Sequence, residues 1–308
     1  MTNGFHDGER AVQARVGASF PGRIRDVIPP IAAQFAASRE FCLLAGLGPD
    51  QRVWTTMLAG PPGFVRADGE HSVTIRALPQ GSDPLFEVAA DHRPVGLLMY
   101  DDHRRMRVNG IARPIDGGFA IDADQVFSNC GRYISNRRGI PVGRLPPEVT
   151  VGRDMTWAQR DLIRTADTFF IGSRHPDGSA DASHRGGDPG FVRIDAADQL
   201  SWPDYDGNKM FMTLGNITLD PRVGLLFLDW TQGTLLQVSG RAEIDWSAQA
   251  AAEFPGAQRV VHLHVDAVRE TVHGVPMTWT HGILSRDNPR AARHPAQALA
   301  LHSSASNA

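Results

Sequence analysis

Two cysteines in 308 residues are too few for a disulfide framework or a cysteine-built zinc site. Cys42 sits in the apolar run Phe41-Cys42-Leu43-Leu44, which reads as a buried strand. Cys130 has no histidine beside it in sequence and reads as structural. No apolar stretch approaches the roughly 20 residues that a membrane span needs. The N-terminus, Met1 to Asp7, lacks the basic-then-apolar order of a secretory signal. These absences together point to a reducing cytoplasm and to no membrane partner. A basic excess is also lacking, since the net charge is −3. A nucleic-acid partner is therefore not expected, because phosphate-tracking proteins need surplus cations. There is no Gly-Xaa-Ser-Xaa-Gly elbow, no nucleotide-binding Gly-rich loop and no zincin helix.

What the chain does have is an internal repeat. Pro62-Gly63-Phe64-Val65-Arg66 returns as Pro189-Gly190-Phe191-Val192-Arg193, about 127 residues on. Pro49-Asp50 returns as Pro176-Asp177. Val95-Gly96-Leu97-Leu98 returns as Val223-Gly224-Leu225-Leu226, and Val108-Asn109-Gly110 as Val238-Ser239-Gly240. Four blocks in order with a slowly drifting spacing mean a duplicated domain; the period is too long for a solenoid.

Both copies read alike. A helical lead-in starts at Pro29-Pro30 in the first and at Thr156, a candidate N-cap, in the second. Short strands broken by Gly, Pro and Asp turns follow. A long apolar strand, Val95–Tyr100 or Val223–Leu228, pairs back with Met106–Ala112 or Leu235–Ile244, the latter after a turn at Gly233. Many short antiparallel strands with few helices describe a small β-barrel. The expected organisation is a helical lead-in over 1–28, a first barrel over 29–135, a Gly/Pro/Arg-rich linker over 136–155, a second barrel over 156–286 and a mobile tail over 287–308.

The copies differ in charge. Where the first has Thr56-Met57-Leu58-Ala59-Gly60, the second has Ser183-His184-Arg185-Gly186-Gly187. Arginine offers a donor fork that matches phosphate, and glycines let a ligand approach the backbone. Further on, the second copy has Asp204-Tyr205-Asp206-Gly207-Asn208-Lys209, while the first has Gln80-Gly81-Ser82-Asp83 and no lysine. Lys209 is expected to open a helix running through Met212, Leu214 and Ile217, and a helix N-terminus with a lysine suits an anion. One working site in the second copy and a degenerate one in the first is the expectation.

The element order, the paired Pro-Gly-Phe-Val-Arg strands and the Asp-Gly-Asn-Lys turn resemble the pyridoxamine 5′-phosphate oxidase-like, FMN-binding split-barrel superfamily, most of all its two-copy branch of predicted flavin-nucleotide-binding proteins. The resemblance runs from about Phe5 to His281. It implies a mainly β protein of two tandem split β-barrels with flanking helices. It also implies FMN as cofactor, with haem or a deazaflavin as alternatives. By motif position the phosphate grip falls on Ser183, His184 and Arg185 and on Asn208 and Lys209, with Asn208 where the family commonly has a first basic residue. Gly186, Asn216 and Trp279 become candidates for the flavin ring. The block Phe127-Ser128-Asn129-Cys130-Gly131-Arg132-Tyr133 is similar to one in the branch, with Gly131 where proline is common. The residues that hold pyridoxal phosphate in the true oxidases have no counterpart, which argues against vitamin B6 oxidation. The resemblance implies an FMN-dependent oxidoreductase for a small organic substrate, with a redox partner or NAD(P)H. The alternative is a carrier without turnover. Barrels of this type pair around the cofactor, either within the chain or in a homodimer.

Other features read more plainly. His262 and His264 share a strand face without a third ligand at a recognisable spacing, so no metal is expected. Trp202, Tyr205 and Trp230 read as core or interface aromatics. Arg104-Arg105-Met106-Arg107 and Arg137-Arg138 read as a solvated rim or an approach for an anionic cofactor. No catalytic residue is assigned.

Overall fold

A computed structural model describes residues 4–19, 21–129 and 131–290. Cys130 and most of the C-terminal tail, 291–308, lie outside the described residues. Helix α1 (Asp7–Arg15) precedes the first copy. That copy comprises α2 (Pro30–Ala37) and strands β1 (Phe41–Leu47), β2 (Val53–Ala59), β3 (Val65–Ala67), β4 (Ser72–Ile75), β5 (Pro94–Tyr100), β6 (Arg105–Ile115) and β7 (Gly118–Asn129). The join holds β8 (Gly139–Pro141) and β9 (Glu148–Gly152). The second copy comprises α3 (Trp157–Thr165), β10 (Thr168–Arg174), β11 (Ala180–Gly186), β12 (Arg193–Ala196), β13 (Gln199–Tyr205), α4 (Met212–Leu219), β14 (Arg222–Asp229), β15 (Thr234–Asp245), α5 (Ala248–Ala252), β16 (Ala257–Val272) and β17 (Met277–Trp279).

The protein is mainly β, with two tandem split barrels of one topology. The first sheet runs β2-β1-β5-β6-β7-β4-β3 and the second β11-β10-β14-β15-β16-β13-β12. Even the irregularities repeat: the register shifts between Asn109 and Gly110 on β6 and between Ser239 and Gly240 on β15. The copies diverge between their fourth and fifth strands. There the second copy has the full helix α4, and the first only a 3₁₀ turn at Val88–Ala90. Proline at the first turn of α2 and a capping box between Thr156 and Gln159 on α3 start the two lead-in helices. The join is more than a linker, because β9 pairs with β16 and β8 with β17.

Each barrel has its own core, around Leu97 and Phe119 in the first and Phe169 and Trp202 in the second. A third apolar cluster lies between the barrels, where Leu43, Leu98, Phe170 and Leu226 are wholly buried. Each such side chain contributes roughly 1.5–3 kcal/mol by leaving water. This contact is reciprocal. A Cβ on Gly96 of β5 would stand 2.6 Å from the Asp181–Ala182 backbone of β11, and one on Gly224 of β14 would stand 2.7 Å from Trp54 Cα of β2. Each copy thus presses its central strand against the edge strand of the other, as in a twofold dimer with self-complementary faces.

Helix α1 clamps the second barrel by crossing α4 through Gly8 and Gly215. Glu9 is buried there, accepting from His6 N at 2.9 Å. Burial raises its carboxyl from 4.5 to about 8. Between those values the folded chain holds a proton that the unfolded chain has released. Stability therefore falls as pH rises through that window, by up to about 1.4 kcal/mol per unit. Urea titrations at about pH 6 and about pH 8 should register the loss, and Glu9→Gln should flatten it; an unchanged slope would contradict this role. Gly96→Ala should cost about 3 kcal/mol or more in the same assay, because the obstruction is backbone.

Candidate functional site

The largest concentration of the expected site residues lines one cavity, about 100 Å³ in volume, at the seam between the barrels. Its walls are β11 of the second copy, the loop from β13 into α4, and the ends of β6 and β7 of the first copy with the segment that follows. Ser183, His184, Arg185, Gly186, Asn208 and Lys209 all line it.

Lys209, the only lysine in the chain, is exposed and lies before the helix rather than opening it. Both Lys209 and Phe211 take left-handed backbone conformations (φ 58° and 59°), so the chain turns sharply twice before α4 starts at Met212. Phe211, the N-cap, provides no side-chain hydrogen bond. The first amides of α4, at Met212, Thr213 and Leu214, belong to residues that line the cavity. An uncapped N-terminus carries orphan N–H groups and partial positive charge. Ser183 Oγ lies 2.7 Å from Thr213 Oγ1, which ties β11 to that helix end.

Charge in the cavity wall is only partly balanced. Arg107, buried, places Nη1 2.8 Å from both carboxylate oxygens of Asp181. Arg259 donates to Asp204 at 2.6 Å. Among the described residues Arg185 donates only to the neighbouring His184 carbonyl, at 3.1 Å. Burial lowers its pKa, offset by the charge of Asp204. Lys209 makes no ion pair among the described residues.

His184 is a fixed donor. Arg105 Nη1 lies 2.9 Å from its Nδ1, and a guanidinium can only donate, so Nδ1 accepts and Nε2 carries the hydrogen. Burial, together with Arg105, Arg185, Arg107 and Arg137, holds the ring well below the usual histidine range, hence neutral. Its Nε2 is buried with no partner among the described residues. A buried donor of this kind calls for an acceptor from outside the protein.

Several expectations need correction. Asn216 does not reach the cavity: its Oδ1 accepts from His6 Nε2 and its Nδ2 donates to Ser173 Oγ, both at 2.9 Å. It sits beyond the first turn of α4, on the side where α1 docks. Trp279 is also elsewhere, buried in the inter-barrel cluster edge-on to Trp230 and Phe41. Gly186 lines the cavity, and a Cβ there would collide with the carbonyl of Tyr133. Arg105 and Arg107, expected at a solvated rim or in an anionic cofactor's approach, are not at a rim but buried in the cavity wall. The signal was present, since Arg105, Arg107 and Asn109 are spaced by two and so share one face of β6. Tyr133 lines the cavity as well; its hydroxyl donates to Asp206 O at 2.8 Å, and Arg132 pairs with the Asp206 carboxylate. His262 and His264 lie nearest to Asp245 and Asp198, and no group of three or more candidate metal ligands occurs among the described residues.

Residues 155–277 match the family model of pyridoxamine 5′-phosphate oxidase, which is the second barrel almost entire. The second barrel is thus similar in sequence to the pyridoxamine 5′-phosphate oxidase family, and the first repeats its topology. Among solved structures it is similar to Group A Streptococcus HupZ, with 17% identity over 36% of this chain and 90% of that one and a TM-score of 0.30. It is also similar to a Clostridium acetobutylicum protein related to general stress protein 26 of the pyridoxinephosphate oxidase family, with 12% identity, 40% and 91% coverage and a TM-score of 0.28. An F420 reductase follows, with 15% identity, 34% and 90% coverage and a TM-score of 0.26. Such distant likenesses carry no argument about chemistry. No curated protein matches. No helix among the described residues is long and apolar enough to cross a membrane.

The Arg107–Asp181 pair joins the two barrels at the cavity floor. Asp181→Asn should cost about 3–5 kcal/mol, since it leaves a buried guanidinium without its counter-charge. Replacing both partners by Leu and Met should recover most of that loss. Thermal melts of both variants against wild type would decide; equal losses in the single and double variants would refute the pairing.

Proposed function

We propose that this chain is a flavoprotein that holds FMN in the cavity between its barrels and exchanges hydride or electrons with a small organic substrate. The observation that carries the proposal is a convergence at one cavity. An uncapped helix N-terminus, Arg185 without a carboxylate hydrogen bond and the chain's only lysine meet there. These are the groups that a terminal phosphate requires. Ser183 and Thr213 add hydroxyls beside the helix end. His184 offers a neutral N–H suited to a carbonyl or ring nitrogen of the cofactor. Bound flavin supplies the redox chemistry, and the protein contributes orientation, polarity and exclusion of water. This division of labour suits a cavity whose one histidine is held neutral and cannot serve as an acid.

Haem fits less well. With Nδ1 engaged by Arg105 and the hydrogen on Nε2, His184 has no lone pair to offer an iron. A deazaflavin would use the same phosphate grip, and its different spectrum separates it from FMN. Both walls of the cavity come from one chain, so the proposal requires no second copy.

The purified protein should be yellow or should take up FMN with a measurable heat. Arg185→Ala combined with Lys209→Ala should weaken FMN binding by at least about a hundredfold, because the phosphate would be deprived of two charge-assisted hydrogen bonds. A colourless protein that ignores FMN would overturn the cofactor. Unchanged affinity in the double variant would overturn the site. Reduction of the bound flavin by NADH or NADPH, followed by reoxidation with candidate acceptors, separates an oxidoreductase from a carrier.

A further inference from the structure

The reciprocal packing of the barrels creates a second cavity, related to the first by exchange of the copies. Its volume is about 210 Å³, and it is walled by β2, by the segment after β4 and by the ends of β15 and β16. The strand registers set its residues against those of the first cavity. Thr56 stands for Ser183, Met57 for His184, Leu58 for Arg185 and Leu235 for Arg105. Both cations of the first site at these positions, Arg185 and Arg105, are therefore replaced by leucine, the first as the sequence comparison anticipates. The cavity is nonetheless not neutral. Arg269 of β16 lines it at the position where β7 has Phe127, so this cation was not inherited from the first site's design.

Arg269 is 8% exposed, and its Nε and Nη2 have no hydrogen-bond partner among the described residues. Asp83 attracts Arg269 through its charge, but its hydrogen bonds go elsewhere. Its carboxylate accepts from Thr56 Oγ1 at 2.7 Å, from Gln237 Nε2 at 3.2 Å and from Leu85 N at 2.8 Å, and it forms no ion pair with Arg269. A buried guanidinium edge with no hydrogen-bonded acceptor is costly. The two vacant nitrogens, Nε and Nη2, form one edge of the guanidinium, the edge that takes a carboxylate through two parallel hydrogen bonds. Gln80 lines the same cavity. Its Nε2 donates to Gly274 O at 2.8 Å, while its Oε1 is buried without a donor among the described residues. Arg76 and Arg144, both exposed, stand at the mouth and favour an incoming anion.

We infer that this second cavity binds a small hydroxycarboxylate, its carboxylate on the Nε–Nη2 edge of Arg269 and its hydroxyl donating to Gln80. The site is separate from the flavin site and does not depend on it. Calorimetric titration of the full chain with L-malate tests the inference. Wild type should bind. Arg269→Lys, which keeps the charge but loses the fork, should weaken binding by about tenfold or more. Arg144→Ala, at the exposed rim, should weaken it by a smaller factor, and Arg185→Ala with Lys209→Ala should leave it unchanged. Absence of binding by wild type would overturn the inference, as would unaltered affinity in Arg269→Lys. Loss of binding in the Arg185/Lys209 variant would place malate in the first cavity and overturn it too. Inorganic phosphate binding more tightly than L-malate would overturn the carboxylate assignment. Should Arg269→Lys fail to fold, Arg144→Ala decides, and unaltered affinity there counts against the site.

Discussion

The packing of each central strand onto the other copy's edge strand is the constraint on which the rest of this structure depends. Gly96 and Gly224 make it sterically feasible, because any side chain there would meet backbone. Thr55 Oγ1 donates to Gly224 O at 2.8 Å, and Arg107 pairs with Asp181 across the same seam. With backbones this close, the apolar side chains around Leu43, Leu98, Phe170 and Leu226 are cut off from water. The seam also leaves a cavity at each end, where side chains of both copies meet.

Duplication then allows the two cavities to diverge. In a symmetric pair of identical chains, any substitution appears at both sites. In a tandem chain, β2 and β11 change independently. The first cavity has Arg105, Arg185 and a full helix α4 with an open N-terminus. The second has Leu235 and Leu58 at the equivalent strand positions, only a 3₁₀ turn in place of the helix, and Arg269 where β7 of the first copy has Phe127, outside the first cavity. The difference between helix and turn matters electrostatically, since a single turn sums few peptide dipoles.

Helix α1 adds a support from outside the duplicated unit. Its His6 is hydrogen-bonded to Asn216, and Gln13 Nε2 donates to Met210 O at 3.0 Å, next to the left-handed Lys209 and Phe211. The turn that carries Lys209 into the cavity wall is therefore braced from behind. The strained conformations at Lys209 and Phe211 persist because neighbouring structure holds them.

The sequence by itself determined the duplication, the barrel class and the asymmetry between copies, because these are local patterns: repeated pentapeptides, apolar runs, and Arg185 and Lys209 facing Leu58 and no lysine. It also located the cavity's second-copy wall. Only the tertiary structure decided which residues of the first copy complete that wall. Arg105, Arg107 and Tyr133 are far from β11 in sequence, and the β6 face that carries the two arginines is buried only because the barrels pack reciprocally. The same packing placed Asn216 behind the helix and Trp279 in the inter-barrel core, since helix rotation and strand pairing, not residue type, set where a side chain points. It also brought Arg269, which no sequence pattern singles out, into a buried cavity facing β2.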